Sequence, residues 1–96
     1  MLKTELIKVD GACLLGIEVA TPNAPVLMLM GSKGFLGCGY FRIEAADKVG
    51  HALAVVSGVR SFADVLAGPV KEVSRLAQQQ GVTPGMTGAE AARLLA

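Results

Sequence analysis

This chain is poor in the residues that usually carry recognisable chemistry. It has one histidine, two cysteines and no tryptophan among 96 residues. A single histidine, with Cys13 and Cys38 far apart in the chain, fits no zinc-ligand spacing, so no metal site and no cofactor are expected. Charge is also scarce. Asp, Glu, Lys and Arg make up 18% of the chain, below the usual ~25% of soluble domains. The net charge is +1 and the nine basic residues are scattered. Without a basic stripe there is no electrostatic footprint for nucleic acid. No apolar run approaches the ~20 residues that cross a bilayer. The densest, Val26 to Met30, has the length of a strand. The opening Met1-Leu2-Lys3-Thr4-Glu5 lacks the basic start and apolar stretch of a secretory leader. The cytoplasm is therefore the expected compartment, with both cysteines as reduced thiols.

What is abundant is aliphatic residue, at a level that strains so short a chain. Hydrophobic residues are 52% of the sequence. A chain of this length forms a single domain, residues 1–96, and buries roughly 60–65% of its unfolded surface. It cannot hide that many apolar groups alone, and monomers seldom leave a large apolar patch exposed. The surplus predicts a homo-oligomer, with closed dimer or tetramer symmetry.

The hydrophobic pattern places strands first. Thr4–Val9 and Ala12–Ala20 flank Asp10-Gly11, a pair suited to a two-residue type I′ turn because both positions need positive φ. That turn sets the register: Val9 faces Ala12, Ile7 faces Leu14, Glu5 faces Gly16 and Lys3 faces Glu18. The opposite face pairs Leu6 with Leu15 and Thr4 with Ile17. Both faces carry aliphatic pairs, whereas a hairpin packed on one side alternates apolar with polar. One face serves the core and the other needs a second cover. Thr21-Pro22-Asn23-Ala24-Pro25 is a turn. Val26–Met30 is a central strand with Met28 and Met30 on one face. Gly31-Ser32-Lys33-Gly34 is a second turn, and Phe35–Phe41 is a fourth strand. The expected oligomer contact comprises Leu6, Leu15, Ile17, Met28 and Met30.

From residue 43 the period changes. Glu44–Val49 is a short helix closed by Gly50. His51–Ser57 returns to strand composition. Ser61-Phe62-Ala63-Asp64 resembles a capping box opening a helix to Leu66. Gly68-Pro69 then starts another helix, with Val70, Val73, Leu76 and Ala77 at helical spacing and Gly81 as the stop. Thr87-Gly88-Ala89-Glu90 opens a last helix through Leu95. The expected fold is α+β: a mainly antiparallel N-terminal sheet of two hairpins, one later strand, and three to four short helices in two layers. Residues 1–42 form a β-rich oligomerisation region, and 43–96 hold the helices and the later strand.

Few residues are arranged for chemistry. The carboxylates Glu5, Asp10, Glu18, Glu44, Asp47, Asp64, Glu72 and Glu90 are spread singly. Gly31-Ser32-Lys33-Gly34 fails the P-loop pattern, and Gly34-Phe35-Leu36-Gly37-Cys38-Gly39 has the dinucleotide spacing reversed and falls inside a strand. Lys33 with its turn amides is a minor anion candidate. Three of the four aromatic residues lie in Gly34–Phe41, interleaved with glycine. In an extended chain Phe35, Gly37, Gly39 and Phe41 share one face, leaving a flat gap between two rings, while Leu36, Cys38 and Tyr40 share the other. This makes Lys33, Gly37, Cys38, Gly39 and Tyr40 the candidate ligand site. It also allows an alternative: a thiol-dependent enzyme with Cys38 as nucleophile and His51, the sole histidine, as base. An apolar setting makes a thiol inert, and a shielded Cys38 is the preferred reading.

Gly34-Phe35-Leu36-Gly37-Cys38-Gly39-Tyr40-Phe41, Glu44-Ala45-Ala46 and Gly85-Met86-Thr87-Gly88-Ala89-Glu90-Ala91 together resemble the YunC-like family, small bacterial and archaeal proteins classed as a domain of unknown function. The likeness runs over nearly the whole chain. It implies tetramerisation through the N-terminal β region and carries over no activity and no catalytic residues. The function expected is that of a structural or small-ligand- or partner-binding module.

Overall fold

The computed structural model describes residues 2–96. They form one six-stranded sheet, ordered as in the sequence. β1 (Leu2–Val9), β2 (Ala12–Ala20), β3 (Pro25–Met30) and β4 (Phe35–Gly37) run antiparallel in turn. β5 (Leu53–Val55) joins β4 in parallel, and β6 (Glu72–Val73) closes the far edge antiparallel to β5. The helices are α1 (Ile43–Val49), α2 (Phe62–Ala67), α3 (Arg75–Gln79) and α4 (Gly88–Leu95). The fold is α+β.

The first hairpin follows its turn chemistry. Asp10 and Gly11 both take positive φ, 49° and 85°, as a type I′ turn requires. The pairing is the expected one throughout, from Val9 with Ala12 to Lys3 with Glu18. One face carries Ile7 and Leu14 of the hairpin, Leu27 and Leu29 of β3, and Leu36 of β4, all buried. Val65 of α2 and Ala91, Ala92 and Leu95 of α4 complete this core. α2 and α4 cross closely because Gly88 presents no side chain to the Val65 carbonyl. The Thr87 capping box forms as expected, with the Glu90 N–H donating to Thr87 Oγ1 at 3.2 Å and the Thr87 N–H donating to Glu90 Oε1 at 2.9 Å.

α1 is the crossover between the parallel pair β4 and β5, and it lies on the opposite face. Its Ala46 packs with Leu53 and Val55, with Phe35, Phe41 and Ile43 around them. β5 is thus buried on both faces, Ala54 in the main core and Leu53 and Val55 under α1. Gly50 ends α1 in the left-handed conformation, φ 81°, as the sequence predicts.

Three expectations need correction. The fourth strand stops at Gly37 and does not reach Phe41. The Phe41 N–H donates to the Cys38 carbonyl at 3.1 Å, so the chain turns over Gly39 and Tyr40. His51–Ser57 contributes only Leu53–Val55 to the sheet. The helix expected from Pro69 to Gly81 is split. Lys71 and Ser74 donate their N–H groups to the Val55 and Leu53 carbonyls, at 2.8 and 2.9 Å, so Glu72 and Val73 form a second later strand. The helix begins only at Arg75. Ser74, fully buried, explains the change of state. Its Oγ accepts the Leu53 N–H at 2.8 Å and caps α3 by accepting the Ala77 N–H at 3.4 Å, while its hydroxyl donates to the His51 carbonyl at 2.8 Å. Local spacing suits a helix here, but the open backbone of β5 wins the segment's hydrogen bonds.

Candidate functional site

The register extends each row of side chains across the second face of the sheet. Leu6, Leu15, Met30, Phe35 and Leu53 stand in one row, and Thr4, Ile17, Met28, Gly37 and Val55 in the next. A third row begins with Leu2 and Val19. α1 covers the β4–β5 end of these rows. Over β1–β3 no element of the described residues lies on them. Leu2 and Leu6 are 68% and 69% exposed, with Leu15, Val19 and Met30 also exposed. Leu6, Leu15, Ile17, Met28 and Met30 therefore share one open apolar face. The sequence alone shows that one hairpin face lacks a cover; the helix positions decide which.

The residues expected around Cys38 do not stay together. The flat gap between two phenyl rings is filled from within. Phe41 folds back onto Gly37, where a Cβ would lie 2.5 Å from its ring, and meets Phe35 edge-on with centroids 5.7 Å apart. Cys38 is 6% exposed, and its Sγ lies 3.5 Å from the Leu27 N–H that donates to it. Tyr40, expected beside Cys38 on one face, is 78% exposed, because the strand has already turned. Cys38, Gly39 and Tyr40 do border a pocket of about 330 Å³, with Pro25, Val59 and Arg60. Arg60 is always protonated and cannot serve as a base.

Lys33 and His51 lie elsewhere. They border a pocket of about 310 Å³ with Ser32 and Gln80. The His51 ring stacks edge-on against Phe35, centroids 6.0 Å apart, on the α1 side of the sheet. His51 and Cys38 line different pockets, so the pairing needed for thiol chemistry has no support in the geometry. Among the described residues no group of three metal-ligating side chains exists, and no helix is long and apolar enough to cross a membrane.

Sequence reasoning missed a groove between α1 and the open face. It holds about 380 Å³ and is bordered by Met28, Met30, Phe41, Val49 and Leu53, among others. A faint signal existed: Ala45 and Val49, one helical turn apart, put small and branched apolar groups on one side of α1.

Comparison with known proteins supplies the context. The family model described as a domain of unknown function, DUF1805, matches residues 37–95. A crystal structure of a protein of unknown function, TA1206 from Thermoplasma acidophilum, superposes with a TM-score of 0.93 at 33% identity, covering 100% of this chain and 94% of that one. No curated protein matches.

Proposed function

Because this chain belongs to the DUF1805 family, of which the YunC-like proteins it resembles are a part, we propose that it works as a self-assembling module, a homo-oligomer joined through the open face of β1–β3. The observation behind this reading is the apolar area formed by Leu2, Leu6, Leu15, Ile17, Val19, Met28 and Met30, with Thr4 among them on the edge strand. Lys8, at the turn end, is the one charged residue on the β1–β3 part of that face. A charged partner finds little to match there, whereas a second copy offers an identical apolar area, the arrangement of an isologous interface. One such contact closes a dimer, and a tetramer, which the family resemblance favours, requires a second, different contact between dimers. The cytoplasm suits the same reading, since Cys13 and Cys38 are both unbridged as in a reducing compartment.

Light scattering at micromolar concentration tests assembly directly, and a monomer mass would refute it. Leu15→Lys with Ile17→Lys should reduce the mass to that of a monomer, because each buries an ammonium in an apolar contact. An unchanged mass would place the interface elsewhere.

A further inference from the structure

The α1 groove and the Lys33 pocket adjoin to form a two-part cleft. Both are bordered by Met30, Phe35 and His51. Beyond these shared walls the two ends differ in chemistry. One end is apolar, made by Met28, Phe41, Val49 and Leu53. The other is polar, made by Ser32, Lys33 and Gln80. No Asp or Glu borders either part. The ion pairs among the described residues are Arg42 with Glu44 and Arg93 with Asp10. The ammonium of Lys33 thus has no carboxylate partner, while Arg42, at the apolar end, is already engaged by Glu44 at 3.6 Å.

We infer that this cleft binds a small carboxylate carrying an apolar tail. The tail lies against Phe35, Phe41 and Met28 beneath α1. The carboxylate lies between Lys33 and His51, taking a charge-assisted hydrogen bond from the ammonium and an N–H from the imidazole, which is a donor in either protonation state. Each part has a volume within the usual range of ligand sites, and a few polar groups at one end of an apolar wall are what orients such a ligand. The class follows from the juxtaposition: an exposed lysine and an imidazole at one end, with no carboxylate side chain on the lining, suit an anion, and the aromatic and methionine walls suit a tail. The candidate set around Cys38 is not used. The apolar end shares Met28 and Met30 with the proposed subunit contact, whereas Lys33 and His51 lie outside that contact, so the polar end can be tested separately from assembly.

Titration calorimetry of the full chain with octanoate is the test, with octanol and acetate as probes lacking one half of the ligand. Saturable binding of octanoate is expected, with octanol and acetate at least about tenfold weaker, the loss corresponding to one charge-assisted contact or the buried tail. Lys33→Ala with His51→Ala should weaken octanoate by about tenfold or more, and Lys33→Arg should retain it. Octanol binding as well as octanoate, a double variant binding like the parent chain, or no saturable octanoate binding would each overturn the inference. Light scattering on the same samples reports assembly separately, so loss of the site and loss of the oligomer give different readings.

Discussion

Gly37 is the position where a single hydrogen in place of a methyl group decides the local shape. Phe41 rests on it and reaches Phe35, so the aromatic pair closes over the end of β4. Gly37→Ala places a Cβ into the ring, and the ring cannot retreat without opening the contact with Phe35. A loss of about 1–3 kcal/mol is expected in urea unfolding. Ser74 is comparable for a polar group. Ser74→Ala leaves the buried Leu53 N–H and the His51 carbonyl each without the hydroxyl they share, and should cost about 1–3 kcal/mol. The thiols make a third test. Cys38 is buried, and Cys13, exposed in the single chain, lies on the same face of β2 as Leu15, so a thiol reagent should label at most one sulfur per native chain, with Cys38 reacting only on unfolding. Rapid labelling of both would reopen the question of a reactive Cys38.

At the scale of elements, the α2–α4 crossing and the β5–β6 pairing hold the C-terminal half to the sheet. Gly88 starts α4 directly against the Val65 carbonyl, and its own N–H donates to the Gly68 carbonyl at 2.9 Å. The obstacle to a side chain here is backbone, which cannot swing aside. Gly88→Ala should therefore cost about 1–3 kcal/mol, although alanine is the better helix former at an ordinary site. An unchanged or raised midpoint in thermal unfolding would show that the two helices do not pack this closely. β6 illustrates the opposite influence. Its two residues have helical neighbours and helical spacing, yet their backbone partners lie on β5, and the ladder takes precedence over propensity.

Across the whole molecule, the sheet has two unlike faces. One is sealed by α2 and α4, and the other is covered by α1 at one end and open at the other. Substitutions on neighbouring residues of β2 should separate these roles. Leu14→Lys buries a charge in the main core and should unfold the chain, a loss of about 4 kcal/mol or more. Leu15→Lys, one residue along and on the open face, should leave the folded chain intact, with circular dichroism unchanged. If Leu15→Lys unfolds it as completely as Leu14→Lys, the open face is needed for folding as well as for contact.

The sequence by itself determined the register of the first hairpin, although β1 starts at Leu2, two residues before the expected Thr4. Asp10-Gly11 admits one tight turn, and the turn fixes every pair from Val9–Ala12 to Lys3–Glu18. It also determined the caps at Ser61, Thr87 and Gly50, because these depend on atoms within one helical turn. It announced an apolar face in need of cover. Tertiary structure alone decided which face that is, since the answer depends on where α2, α4 and α1 dock. It also decided that Phe41 turns back onto Gly37, that Val73 joins a strand, and that Lys33 and His51 border one pocket and Cys38 another. These depend on how separate elements pack and not on local spacing. Alternation along a strand cannot foresee where the strand ends, and helical spacing cannot foresee a neighbouring strand with free carbonyls.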